Sequence, residues 1–131
     1  MRYLTLVHRS DDREPPALTE AIQAFLSEVA AAGVLIDGGT LAGPEGSQVV
    51  RFARGEVLPT DGPFTEARDV AGGFSMLECS SDEEAVAVIR RFMDLHAVHW
   101  PEVEITVEVR PIVADTDVEG LAALADGRAG R

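Results

Sequence analysis

The sequence predicts an α+β fold built from two β-α-β units joined through a hairpin, the split arrangement of ferredoxin-like domains. Three observations carry this expectation. Residues 2–9 and 102–110 alternate side chains at the period of a strand. Residues 17–33 and 82–95 repeat apolar side chains at the three-four spacing of a helix. Between the two units, residues 48–58 (QVVRFARGEVL) place Arg54-Gly55 between short apolar runs, a hairpin signal.

Taken in order, RYLTLVHR (residues 2–9) is the first strand, with Leu4, Leu6 and His8 on one face and Tyr3, Thr5, Val7 and Arg9 on the other. SDDREPP is a polar connection closed by Pro15 and Pro16, and Leu18, Ile22, Phe25, Leu26 and Val29 then form the apolar stripe of a helix that Gly33 caps. VLIDGGTL (residues 34–41) is a second strand interrupted by Gly38 and Gly39. After the hairpin, GFSMLEC (residues 73–79) is a strand with apolar side chains on both faces, so both faces are expected to be covered. Ser81 and Glu84 have capping-box spacing ahead of a second helix whose stripe is Val86, Ile89, Phe92 and Met93, with HAVHWP as its terminus. EVEITVEVR (residues 102–110) closes the core, with Val103, Ile105, Val107 and Val109 facing one way. If both helices share one side, the open sheet face has to meet another molecule, and a sheet-to-sheet homodimer is the natural solution.

Length and composition narrow the function classes. The 131 residues suit one domain, expected at residues 1–113, followed by an Ala-, Gly- and Asp-rich tail at 114–131 that forms a weak helix or is disordered. A net charge of −12 repels phosphate backbones and anionic lipid surfaces, so neither nucleic acid nor a membrane is an expected partner. The N-terminus reads as a strand and not as a signal peptide, which makes a cytoplasmic location the expectation. The one cysteine, Cys79, sits in an apolar run and is assigned no chemistry.

The most distinctive stretch is TDGPFTEARDVAGGF, residues 60–74. Asp61-Gly62-Pro63 is turn chemistry, and Gly72-Gly73 lets backbone or ligand approach the strand that follows. This stretch, with AGVLIDGGTL before it and HAVHWPEVEITVEVRPI after it, resembles the DGPF branch of the YCII-related family over roughly residues 1–113. The resemblance implies a ferredoxin-like fold pairing as a dimeric α/β barrel, with a cavity of small-molecule size near the sheet. It also implies a link, in some members, to genes beside extracytoplasmic-function sigma factors. Related members act on small cyclic metabolites through a proposed His-Asp pair, whose histidine lies near the start of the first helix. Residues 17–33 of this chain hold no histidine, and the usual Glu-x-Lys-Glu of the signature is Glu66-Ala67-Arg68-Asp69.

Candidate chemistry therefore falls to the residues present. An acid-base step near neutral pH needs a histidine beside a carboxylate, and the three histidines are His8, His96 and His99. Asp61 is the orienting carboxylate in that reading, or else a turn acceptor for its own loop. His96 and His99 stand at a helix terminus; with no third ligand at a recognisable spacing, no metal is assigned. Arg51 and Arg68 are candidates to hold an anionic or carbonyl group, Glu66 to pair with Arg68, Phe64 to plug the core or stack on a ligand, and Gly73 to admit one. Two functions remain. One is a cofactor-free isomerase, lyase or cyclase acting on a small carbonyl or cyclic metabolite. The other is a non-catalytic dimeric ligand-binding or regulatory module in which the DGPF loop is a structural clasp.

Overall fold

The computed structural model describes residues 1–58 and 71–113. The elements are β1 (Arg2–Arg9), α1 (Pro16–Ala31), β2 (Leu35–Thr40), a short 3-10 turn (Pro44–Gly46), β3 (Arg51–Ala53), β4 (Glu56–Leu58), β5 (Gly73–Glu78), α2 (Asp82–His99) and β6 (Ile105–Pro111). Four of the strands form one sheet in the order β2-β5-β1-β6, every neighbour antiparallel. That order is what two interleaved β-α-β units produce: each helix links strands one position apart, and a strand from the other unit fills the gap. The hairpin β3-β4 is a separate two-stranded ribbon that turns at Arg54 and Gly55, both at positive φ.

Local chemistry explains where the helices start and stop. Pro16 opens α1, where its missing N–H costs nothing. At the other end Val34 N donates to Val29 O at 2.9 Å and Gly33 N to Ala30 O at 3.0 Å, the paired bonds of a Schellman cap with glycine at its left-handed position. Ser81 caps α2 by accepting from Glu84 N at 3.1 Å, while the Glu84 carboxylate reaches one residue further back than the capping box expects, to Ser80 N at 3.2 Å. The bonds from Ser80 hold the Glu84 carboxyl below its usual range.

α2 runs a turn beyond the expected end, through His99, because nothing before Pro101 obstructs it. Its buried face is also shifted from the expected one. Phe92 is buried and Ile89 packs on the core as expected, but Val86 is 42% exposed, and Ala85 and His96 are buried beside Phe92.

Both helices pack on one face of the sheet. The register pairs Tyr3 with Leu77, Thr5 with Ser75 and Val109, and Val7 with Val107, and these side chains face the helices. Tyr3, Leu77, Cys79 and Ala85 form one core cluster; Phe25, Val29 and Phe92 form a second. Burial pushes the Cys79 thiol pKa up, which fits a thiol without chemistry. The opposite face carries Leu4, Leu6, His8, Phe74 and Met76, half-buried, and among the described residues no helix covers it. The leucine side of β1 is therefore the open side, and the tyrosine side is the core.

Candidate functional site

Between α1, α2 and the inner sheet face lies a cavity of about 320 Å³. Its walls are mostly apolar, with Val7, Ile22, Phe25, Val29, Leu35 and Phe92 among them. The volume is at the lower end of the small-molecule range, roughly 300–1,000 Å³, and the lining has the character of such sites. Its β2 residues, Ile36, Asp37 and Thr40 among them, are exposed, so the cavity opens along this sheet edge.

Two features of the sequence make room for the mouth. β2 slips register between Leu35, opposite Leu77, and Asp37, opposite Met76, leaving Ile36 as the extra residue of a bulge. Gly38 follows at a place where a Cβ would stand 2.9 Å from Phe74 O, so only glycine lets β2 approach β5 here. Gly73 lines the same cavity, and a Cβ on it would meet Gly39 O at 3.3 Å.

Polar groups gather at three places. At the mouth Asp37 accepts from Gly38 N at 2.8 Å. On the floor Thr5 and Ser75 share a hydrogen bond at 2.5 Å. At the end of β1 stands Arg9, also on the lining, whose Nη1 meets Glu14 Oε1 at 2.7 Å; Thr19 Oγ1 donates to the other Glu14 oxygen at 2.5 Å. Arg9 and Glu14 are each only about one-fifth exposed (22% and 21%), so this pair is far less screened than a surface ion pair. Asp37 and Arg9 are the residues of opposite charge on the lining, and sequence reasoning missed both. The available signals were an arginine in phase with Tyr3, Thr5 and Val7 on a core-facing strand, and an aspartate ahead of two glycines inside a strand.

The three histidines occupy three separate environments, and none lines the cavity. His8 is on the open sheet face with Nε2 3.9 Å from Glu108 Oε1, too far for a hydrogen bond. His96 is 3% exposed; its Nδ1 lies 2.9 Å from Phe92 O, an acceptor, so Nδ1 carries the proton and Nε2 the lone pair. Desolvation holds its pKa below the usual histidine value. His99 closes α2, half-buried. Arg51 is exposed on the hairpin, away from the cavity lining. Asp61, Phe64, Glu66 and Arg68 lie outside the described residues, as does the tail at 114–131.

A comparison with protein-family models matches residues 1–109 to the YCII-related domain. The chain belongs to the YCII-related family. The match spans β1 through α2 and most of β6, so every residue lining the cavity lies within the family domain. No curated protein matches this YCII-related chain. Among the described residues no group of three His, Cys, Asp or Glu side chains is placed to hold a metal ion, and no helix is long and apolar enough to cross a membrane.

Proposed function

We propose that this YCII-related protein, of the DGPF branch by its TDGPFTEARDVAGGF motif, binds a small, largely apolar metabolite in the cavity between α1 and the sheet. We further propose that it moves a proton on that metabolite without a cofactor. The observation that supports this is the cavity itself: mostly apolar walls, with Arg9 and Asp37 the charged residues among its lining. A carboxylate at the edge of an apolar site is a workable general base, and a fixed cation on the same lining can stabilise charge that develops on the substrate. Asp61 and the histidines remain proposed participants through the DGPF loop. A second copy of the chain is the proposed cover for the open sheet face.

A second reading, a non-catalytic ligand-binding or regulatory module, is favoured by the absence of any histidine from the cavity lining. One experiment separates the two. The protein is incubated in deuterium oxide with a panel of small cyclic ketones, and carbon-bound deuterium is followed by NMR together with the amide shifts of Val7 and Ser75. Exchange roughly a hundredfold above buffer, lost in Asp37→Asn while the amide shifts persist, supports the enzyme. Binding without exchange supports the module, and no binding refutes both.

A further inference from the structure

Among the described residues, only one lining residue of the cavity buries a side-chain polar atom without a hydrogen-bond partner: Arg9, at its Nε. We infer that this N–H is the anchoring donor of the cavity, and that the ligand is an uncharged, largely apolar molecule presenting a carbonyl oxygen to it. The inference rests on the cavity being a binding site and adds the class of molecule that fills it.

The donor needs an acceptor. An arginine Nε–H can only donate, and leaving a buried donor unpaired costs its full desolvation. Arg9 is restrained, because its Nη1 is held by Glu14 at 2.7 Å and Glu14 is held in turn by Thr19 at 2.5 Å. The guanidinium is thus fixed by one nitrogen while another is left without a bond. That is the arrangement expected of a group kept ready for an incoming oxygen.

Charge then selects among oxygens. Glu14 already balances the Arg9 charge, Asp37 adds a carboxylate at the mouth, and the whole chain carries −12. A ligand carboxylate would find the Arg9 charge already paired with Glu14, meet the carboxylate of Asp37 nearby and lose its hydration there. A carbonyl oxygen takes the hydrogen bond without bringing charge, and the apolar remainder of the molecule matches Val7, Phe25 and Phe92.

Three probes of similar size test the assignment: acetophenone, ethylbenzene and benzoate. Each is titrated by NMR at neutral pH into the wild-type protein and into Arg9→Lys, with the Val7 and Ser75 amides reporting occupancy. Lysine keeps the positive charge beside Glu14 but has no N–H at the Nε position. The expected result is acetophenone binding roughly tenfold or more tighter than ethylbenzene, with benzoate weaker than acetophenone, and a collapse of the acetophenone advantage in Arg9→Lys. Equal binding of acetophenone and ethylbenzene to the wild type overturns the carbonyl anchor but leaves the cavity standing as a binding site. Benzoate binding tightest overturns the uncharged class. No shift with any probe removes the binding site and the inference together.

Discussion

The hydroxyl of Tyr3 donates to Asp82 Oδ1 at 2.7 Å, tying the first strand of the sheet to the first turn of α2 across 79 residues of sequence. The bond with the carboxylate, and burial after it, pushes the phenol pKa up to about 12. Tyr3 is the only tyrosine in the chain, so its ionisation can be read directly by absorbance near 295 nm. The expected midpoint is close to pH 12 in the wild type and returns toward about 10 in Asp82→Asn. Tyr3→Phe is expected to lower the melting temperature by a few degrees; an unchanged melt would remove the bond from any structural role.

His96 gives the protein a dependence on pH near neutrality. Its folded pKa lies below the unfolded value of about 6.5, so above that pH both states hold a neutral imidazole and its stabilisation is complete. As pH falls through 6.5 and on through the folded pKa, the unfolded state binds the proton first, and stability drops. Asp11 and Glu84, whose pKa values are also lowered, pull the same way at lower pH. Urea midpoints from pH 8 to pH 5 should therefore fall less in His96→Asn than in the wild type. Parallel curves would show that His96 titrates alike in both states.

Packing predictions contrast two pairs of positions. Leu18 is completely buried and Val86 is 42% exposed, although both sit on apolar helical spacings. Leu18→Ala should cost roughly 2–5 kcal/mol by denaturant titration, whereas Val86→Ala should stay within about 0.5 kcal/mol. In the same experiment Gly38→Ala, whose Cβ would stand 2.9 Å from Phe74 O, should destabilise clearly. Gly72→Ala, with its nearest neighbour at 3.9 Å, should be tolerated.

The open sheet face makes a solution prediction. Leu4, Leu6, Phe74 and Met76 form a half-buried apolar strip over which, among the described residues, no helix lies. If a second copy covers it, sedimentation at tens of micromolar gives the mass of a dimer, and Leu6→Asp shifts the protein to a monomer with an unchanged circular dichroism spectrum. A wild type that sediments as a monomer ends that proposal.

Most of the fold was legible in the residues because each signal acts over a few positions. The alternation of β1 and β6, the Pro16 start and Gly33 end of α1, the Ser81 cap and the Arg54-Gly55 turn all depend on contacts within one turn or one strand pair. The end of α2 was less legible, since HAVH is compatible with helix or loop and only Pro101 sets a hard limit. The candidate site was hardest to read. Its charged residues, Arg9 and Asp37, come from different strands and look like ordinary polar positions until those strands share a sheet.

The sequence by itself determined the order of elements, the split β-α-β pattern and the family, through periodicity, caps and the DGPF stretch. Tertiary structure alone decided that the tyrosine face of β1 is the covered one, that His96 is buried while His8 faces outward, and that a bulge at Ile36 and a bare glycine open a cavity beside Arg9. The physical reason is range. Backbone propensity and hydrogen-bonded caps are set by neighbours in the chain, whereas burial, desolvation and the meeting of charges depend on which faces two distant segments present to each other.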